Sequence, residues 1–86
     1  MADRPLADLL VESVPNVSEG RRLEVVDLLA TAVSSAKGVH LLDRTSDASH
    51  NRSVFTIAGP SGAVGGALER LVAAAIHEID MERHWG

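Results

Sequence analysis

Five stretches of patterned apolar residues run along this chain, and each predicts an element. Residues 9–14 read as a short strand with apolar side chains on both faces, stopped by Pro15. Residues 16–20 form a polar loop in which Ser18 is placed to cap a helix. Leu23, Val26, Leu29, Ala30 and Val33 then recur at helical spacing, with Val25, Ala32 and Ala36 widening the stripe and Arg21, Arg22, Glu24 and Asp27 on the polar side. This predicts a helix over residues 21–36, ended by Gly38 with Lys37 beside the negative end of the dipole. Val39-His40-Leu41-Leu42-Asp43 is a second strand, residues 46–52 a polar turn, and residues 53–58 a third strand. These two strands are expected to pair as an antiparallel hairpin. Gly59-Pro60-Ser61-Gly62 breaks the pattern, with Ser61 as N-cap of a second helix running through Val64, Leu68, Leu71, Val72, Ala75, Ile76 and Ile79 to Asp80. Gly65 and Gly66 cost that helix roughly 1 kcal/mol each relative to alanine, a cost that close approach to the sheet would explain.

The order strand, helix, strand, strand, helix predicts an α+β fold. It is a ferredoxin-like βαββα sandwich, an antiparallel or mixed sheet with two helices on one face and no final strand. Residues 1–86 read as a single domain without repeat or linker; residues 1–7 show no clear pattern. A chain of 86 residues with only Phe55 and Trp85 as aromatics builds its core from small aliphatic side chains. The formal charge of -4 and scattered Lys and Arg, apart from Arg21-Arg22, argue against nucleic acid as a partner. There is no cysteine, hence no disulfide and no thiolate metal site. No apolar run nears the roughly 18–20 residues that cross a bilayer, so a cytoplasmic protein without membrane contact is expected.

Three polar runs carry candidate chemistry. In Asp47-Ala48-Ser49-His50-Asn51-Arg52-Ser53-Val54, an arginine can grip a carboxylate through two parallel charge-assisted bonds, and Asn51 can both donate and accept. The same residues also suit a solvated loop whose asparagine caps a turn. Ser18-Glu19 with Asp43 reads either as an acid–base pair or as a cap and a strand-end carboxylate. His40, His50, His77 and His84 are too widely spaced for a metal site, and no H-E-x-x-H pattern is present. Residues 59–66 are glycine-rich between a strand and a helix but lack the lysine of a phosphate loop, which leaves a turn with a helix cap.

Taken in order, the runs point to one family. Val14-Pro15-Asn16-Val17-Ser18-Glu19-Gly20-Arg21 resembles the first motif of the formiminotransferases, the glutamate formimidoyltransferases of histidine breakdown. Leu41-Leu42-Asp43, Ser46-Asp47 and His50-Asn51-Arg52-Ser53-Val54-Phe55-Thr56 resemble the second motif, and Ile79-Asp80-Met81 with His84 and Gly86 the third. The resemblance implies transfer of a formimino group from N-formimino-L-glutamate to tetrahydrofolate as co-substrate; some members carry a formyl group instead. It implies two α/β subdomains with the substrates between them, this chain being the start of the first. Asn16, His50, Asn51 and Arg52 match positions expected to bind substrate, whose glutamate carboxylates suit an arginine and amides. The family's next segment, a histidine followed by proline and arginine, supplies the expected general base. That histidine would lie beyond Gly86, so the resemblance implies a truncated subdomain with no catalytic residue of its own and no transfer by the chain alone. The rival class is a non-catalytic domain that uses the same fold to dimerise or to bind another chain. A three-stranded sheet covered on one face leaves Leu10, Leu42 and Phe55 at risk of exposure and an edge unpaired, so a homodimer is expected.

Overall fold

The computed structural model describes residues 9–85, with side chains described through Glu78. Its elements are β1 (Leu10–Ser13), β2 (Asn16–Val17), α1 (Leu23–Ser34), β3 (His40–Asp47), β4 (Arg52–Pro60) and α2 (Ser61–Trp85). β4 is the central strand, with β1 and β2 along one side and β3 along the other, all antiparallel to it. β1 and β3 therefore run parallel with β4 between them, joined by α1. That is the split βαβ arrangement of a ferredoxin-like α+β sandwich, with both helices on one face.

Two elements differ from the sequence expectation. The pattern predicts a loop at residues 16–20, yet Asn16 pairs with Val54 and Val17 with Ser53. The register set by Leu10 opposite Pro60 continues unchanged through Ser13 opposite Ile57 to this second segment. β1 and β2 are thus one strand interrupted at residues 14–15. Pro15 has no N–H to give, but its carbonyl still accepts from Phe55 N at 3.0 Å. The hairpin is also longer than its apolar run: β3 extends through Asp47, leaving residues 48–51 as the turn. A register shift between Leu41 and Asp43 puts one extra residue on β3 and leaves Leu42 exposed.

β4 alternates strictly, with Ser53, Phe55, Ile57 and Gly59 buried and Val54, Thr56, Ala58 and Pro60 half-buried. Phe55 and Ile57 are fully enclosed against Val26, Leu29 and Val33 of α1 and Val64, Ala67 and Leu71 of α2. Phe55 is thus not at risk of exposure, because it points to the helices, whereas Leu10 and Leu42 are exposed as expected. α1 starts at Leu23, two residues later than its periodicity suggests, and ends at Ser34, where Ser34 Oγ donates to Ala30 O at 2.7 Å. Gly38, at φ 87, makes the turn into β3. α2 begins at Ser61 itself, which is the first residue of the helix rather than the residue before it. Added Cβ atoms at Gly65 and Gly66 would meet nothing within 4 Å, so close approach to the sheet does not account for these glycines. No helix among the described residues is long and apolar enough to cross a membrane.

Candidate functional site

The sheet has one face under the helices and one face that no other described element covers, the open face. Because Ser53, Phe55 and Ile57 point to the helices, Arg52, Val54, Thr56 and Ala58 point away. Directly opposed residues of an antiparallel pair share a face. Asn16 and Thr45 flank Val54, Asp43 is opposite Thr56, and Asp47 is opposite Arg52, so all of them lie on the open face. Asn16 and Arg52 are diagonal neighbours across the ladder, about 7–8 Å apart by sheet geometry, within reach of one small ligand.

Arg52 is exposed; its backbone is paired with Asp47 in the ladder, and its guanidinium makes no hydrogen bond to another described residue. Asn16 is exposed too; its Nδ2 donates to Val14 O at 3.2 Å, which leaves its Oδ1 and second N–H outward. His50 lies in the turn, with Nδ1 2.6 Å from Asp47 Oδ2. Asp47 Oδ1 accepts the N–H groups of Ser49 at 2.9 Å and His50 at 3.3 Å. The His50 ring, those N–H groups and the more distant charge of Arg52 hold the Asp47 carboxyl below the usual aspartate range.

Asn51 behaves differently from its neighbours. It adopts φ 50, a left-handed conformation that asparagine tolerates better than most residues. Its Oδ1 points back under the turn and accepts the N–H of Gly20 at 3.0 Å. A Cβ on Gly20 would come within 2.5 Å of Arg52 O and 2.6 Å of Arg52 N and Asp47 O, so only glycine fits against the hairpin here. Arg21 grips the same turn, its Nε donating to Ala48 O at 2.8 Å. Beneath, the buried Ser53 hydroxyl donates to Glu19 O, which leaves it to accept from Ser46 Oγ at 2.8 Å. The first two sequence runs are thus one hydrogen-bonded assembly. Composition could not reveal the parts of Gly20, Arg21 and Ser53 in it; the one available signal was their place within those runs.

Glu19 and Asp43 are not an acid–base pair, because they belong to opposite sides of the sheet. The Glu19 carboxylate receives Arg21 N at 3.3 Å, Arg22 N at 3.1 Å and Arg22 Nε at 2.8 Å. These N–H groups precede Leu23, so Glu19 fastens the segment that leads into α1; the helix has no side-chain cap at its N-terminus, and Ser18 does not supply the one expected of it. Burial works to raise the Glu19 carboxyl, but the backbone and guanidinium donors of Arg22 and the Arg21 N–H outweigh it and leave it lowered. No group of three or more His, Asp or Glu among the described residues could hold a metal. In the third run the backbone of α2 continues to Trp85, but the side chain of His84, like Gly86, lies outside the described residues.

Residues 10–86 match the family model described as the formiminotransferase domain, N-terminal subdomain. The chain belongs to the formiminotransferase N-terminal subdomain family. It is 48% identical over 77 residues to a glutamate formimidoyltransferase of Streptococcus pyogenes serotype M1, covering 90% of this chain and 26% of that protein. It is 49% identical over 78 residues to the formimidoyltransferase-cyclodeaminase of Sus scrofa, covering 90% of this chain and 14% of that one. A glutamate formimidoyltransferase of Thermoplasma acidophilum is 45% identical over 78 residues, of which the chain spans 25%. The chain thus spans about a quarter or less of the length of these relatives. The matched region takes in both runs that form the open face and the assembly beneath it.

Proposed function

We propose that the open sheet face holds the glutamate end of a formiminotransferase substrate, with Arg52 binding a carboxylate and Asn16 an adjacent amide or carboxylate oxygen. The observation that carries this reading is the placement of Arg52 and Asn16 on one face in neighbouring rows, with the Arg52 guanidinium free of hydrogen bonds to other described residues. The names of the relatives supply the reaction class. In this reading N-formimino-L-glutamate is the donor and tetrahydrofolate the co-substrate, and both carry glutamate carboxylates. Anchoring is what these residues contribute; the formimino transfer belongs to the complete domain of the relatives. His50, tethered to Asp47, borders the site. The cytoplasm is the proposed compartment and a homodimer the proposed assembly.

Titration calorimetry with N-formimino-L-glutamate tests the reading. Charge-assisted hydrogen bonds contribute roughly 1.5–3 kcal/mol, so Arg52→Ala is expected to weaken binding about tenfold or more. Equal affinity of variant and wild type, or no binding by the wild type, would sink it. The rival reading, a purely interacting domain, has no observation of its own in the site.

A further inference from the structure

Asn51 stands beside Arg52 among the residues expected to bind substrate, yet its side chain turns the other way. We propose that Asn51 is a positioning residue, whose Oδ1 clamps the Gly20 N–H at 3.0 Å and so fixes the backbone from which Arg52 reaches the open face. The inference rests on the carboxylate-anchor reading of Arg52.

Three features of the turn converge on this role. Asn51 immediately precedes Arg52, and its φ of 50 sets the direction in which the chain enters β4. Gly20 is pressed onto the peptide groups of Arg52 and Asp47, closer than any side chain would permit. Its N–H is turned from water, with the Asn51 carboxamide as acceptor. On the far side Arg21 holds the carbonyl of Ala48, so the turn is gripped at both ends by one short segment. Cutting the Asn51 link leaves the Gly20 N–H without its acceptor and lets the segment lift from the Arg52 backbone. Arg52 then samples more directions, and a bidentate carboxylate contact is sensitive to direction as well as distance.

A direct ligand and a positioning residue make opposite predictions for two substitutions. Asn51→Gly removes the carboxamide but accepts a positive φ without strain, so the turn still forms. Asn51→Asp keeps an acceptor for Gly20 and tolerates the same φ, but has no N–H to offer a carboxylate and adds a repelling charge. We would measure calorimetric affinity for N-formimino-L-glutamate on both variants and on Arg52→Ala, with a thermal melt to verify that each is folded at the assay temperature. The expected result is affinity about tenfold weaker for Asn51→Gly and restored to within about threefold of wild type for Asn51→Asp. If Asn51→Asp binds as weakly as Asn51→Gly or worse, Asn51 touches the ligand and the positioning role is overturned. Wild-type affinity in Asn51→Gly overturns it as well. If Arg52→Ala itself binds like wild type, the anchor reading falls and takes this inference with it. A weakened Arg52→Ala beside an unaffected Asn51→Gly removes the positioning role alone.

Discussion

At the scale of single residues, two carboxyls held below their ordinary range, Glu19 and Asp47, lie where the two runs meet. Glu19 is a nearly buried carboxylate tied to the Arg22 guanidinium and to two backbone donors just before α1. Its pKa is lowered by folding, so the stability it contributes is complete above its ordinary value of 4.5. That contribution fades as pH falls from about 4.5 through the lower folded-state value, because the unfolded chain then binds the proton more readily. Melts of wild type and Glu19→Gln between neutral and acid pH are expected to show a gap that is constant above this window and shrinks within it. A gap that widens on acidification would mean that the buried carboxyl, not the carboxylate, is the favoured form. Sequence alone offered Ser18-Glu19 with Asp43 as an acid–base pair or as a cap and a strand-end carboxylate; the fold makes Glu19 a tether for the segment before α1, which has no side-chain cap. The reason could not be read locally, since it depends on a strand crossing that puts Asp43 on the opposite face. Asn51 illustrates the same limit. Its residue type suits a ligand or a turn, and the partner of its Oδ1, Gly20, lies 31 positions away in the sequence.

At the scale of elements, apolar rhythm predicted what buries side chains and missed what depends on backbone pairing. The alternation Val54-Phe55-Thr56-Ile57 located β4, and the stripe Val26, Leu29, Val33 located α1, because both are imposed by contact with the core. The outer half of β3, Arg44 to Asp47, has no apolar signal; its ladder with β4 extends it regardless of side chain. Asn16 and Val17 were hidden for a related reason: Pro15 reads as a stop, although here it costs the strand one hydrogen bond without changing the register. Gly65 and Gly66 of α2 invite a direct test. Neither position has a neighbour within 4 Å of an added methyl, and neither has a positive φ. Replacing either by alanine is therefore expected to stabilise the domain by about 0.4–1 kcal/mol, by restricting the unfolded chain and improving helix propensity. Chemical denaturation of each single variant measures this. A destabilised variant would show that a glycine is kept for a contact made in an assembly or with a ligand.

At the scale of the whole molecule, one edge of the sheet is where a second copy would pair. Pro15 O and Leu9 O both accept hydrogen bonds from the β4 side, from Phe55 N and Ser61 N, so the odd-numbered positions turn their backbone groups inward. Leu10, Glu12 and Val14 therefore point theirs away from the sheet, and Pro15, whose ring nitrogen faces β4, does not block that edge. Next to the edge, Leu68, Val72 and Ile76 of α2 line a groove with Pro15 and Val17, and Val72 and Ile76 are each 55% exposed. Such an edge, with neither a proline nor a lysine facing outward, is the kind that pairs with another strand. We expect two copies to join β1 to β1, antiparallel about a two-fold axis, with the α2 grooves meeting above the extended sheet. Light scattering after size exclusion at micromolar concentration should then give twice the 9.1 kDa chain mass. Glu12→Pro removes an outward N–H without touching the ladder to β4, so it should return the chain to a monomer that remains folded. A wild type that already runs as a stable monomer would refute the pairing. A dimer indifferent to Glu12→Pro would move the contact off the edge and onto the face formed by Val72 and Ile76.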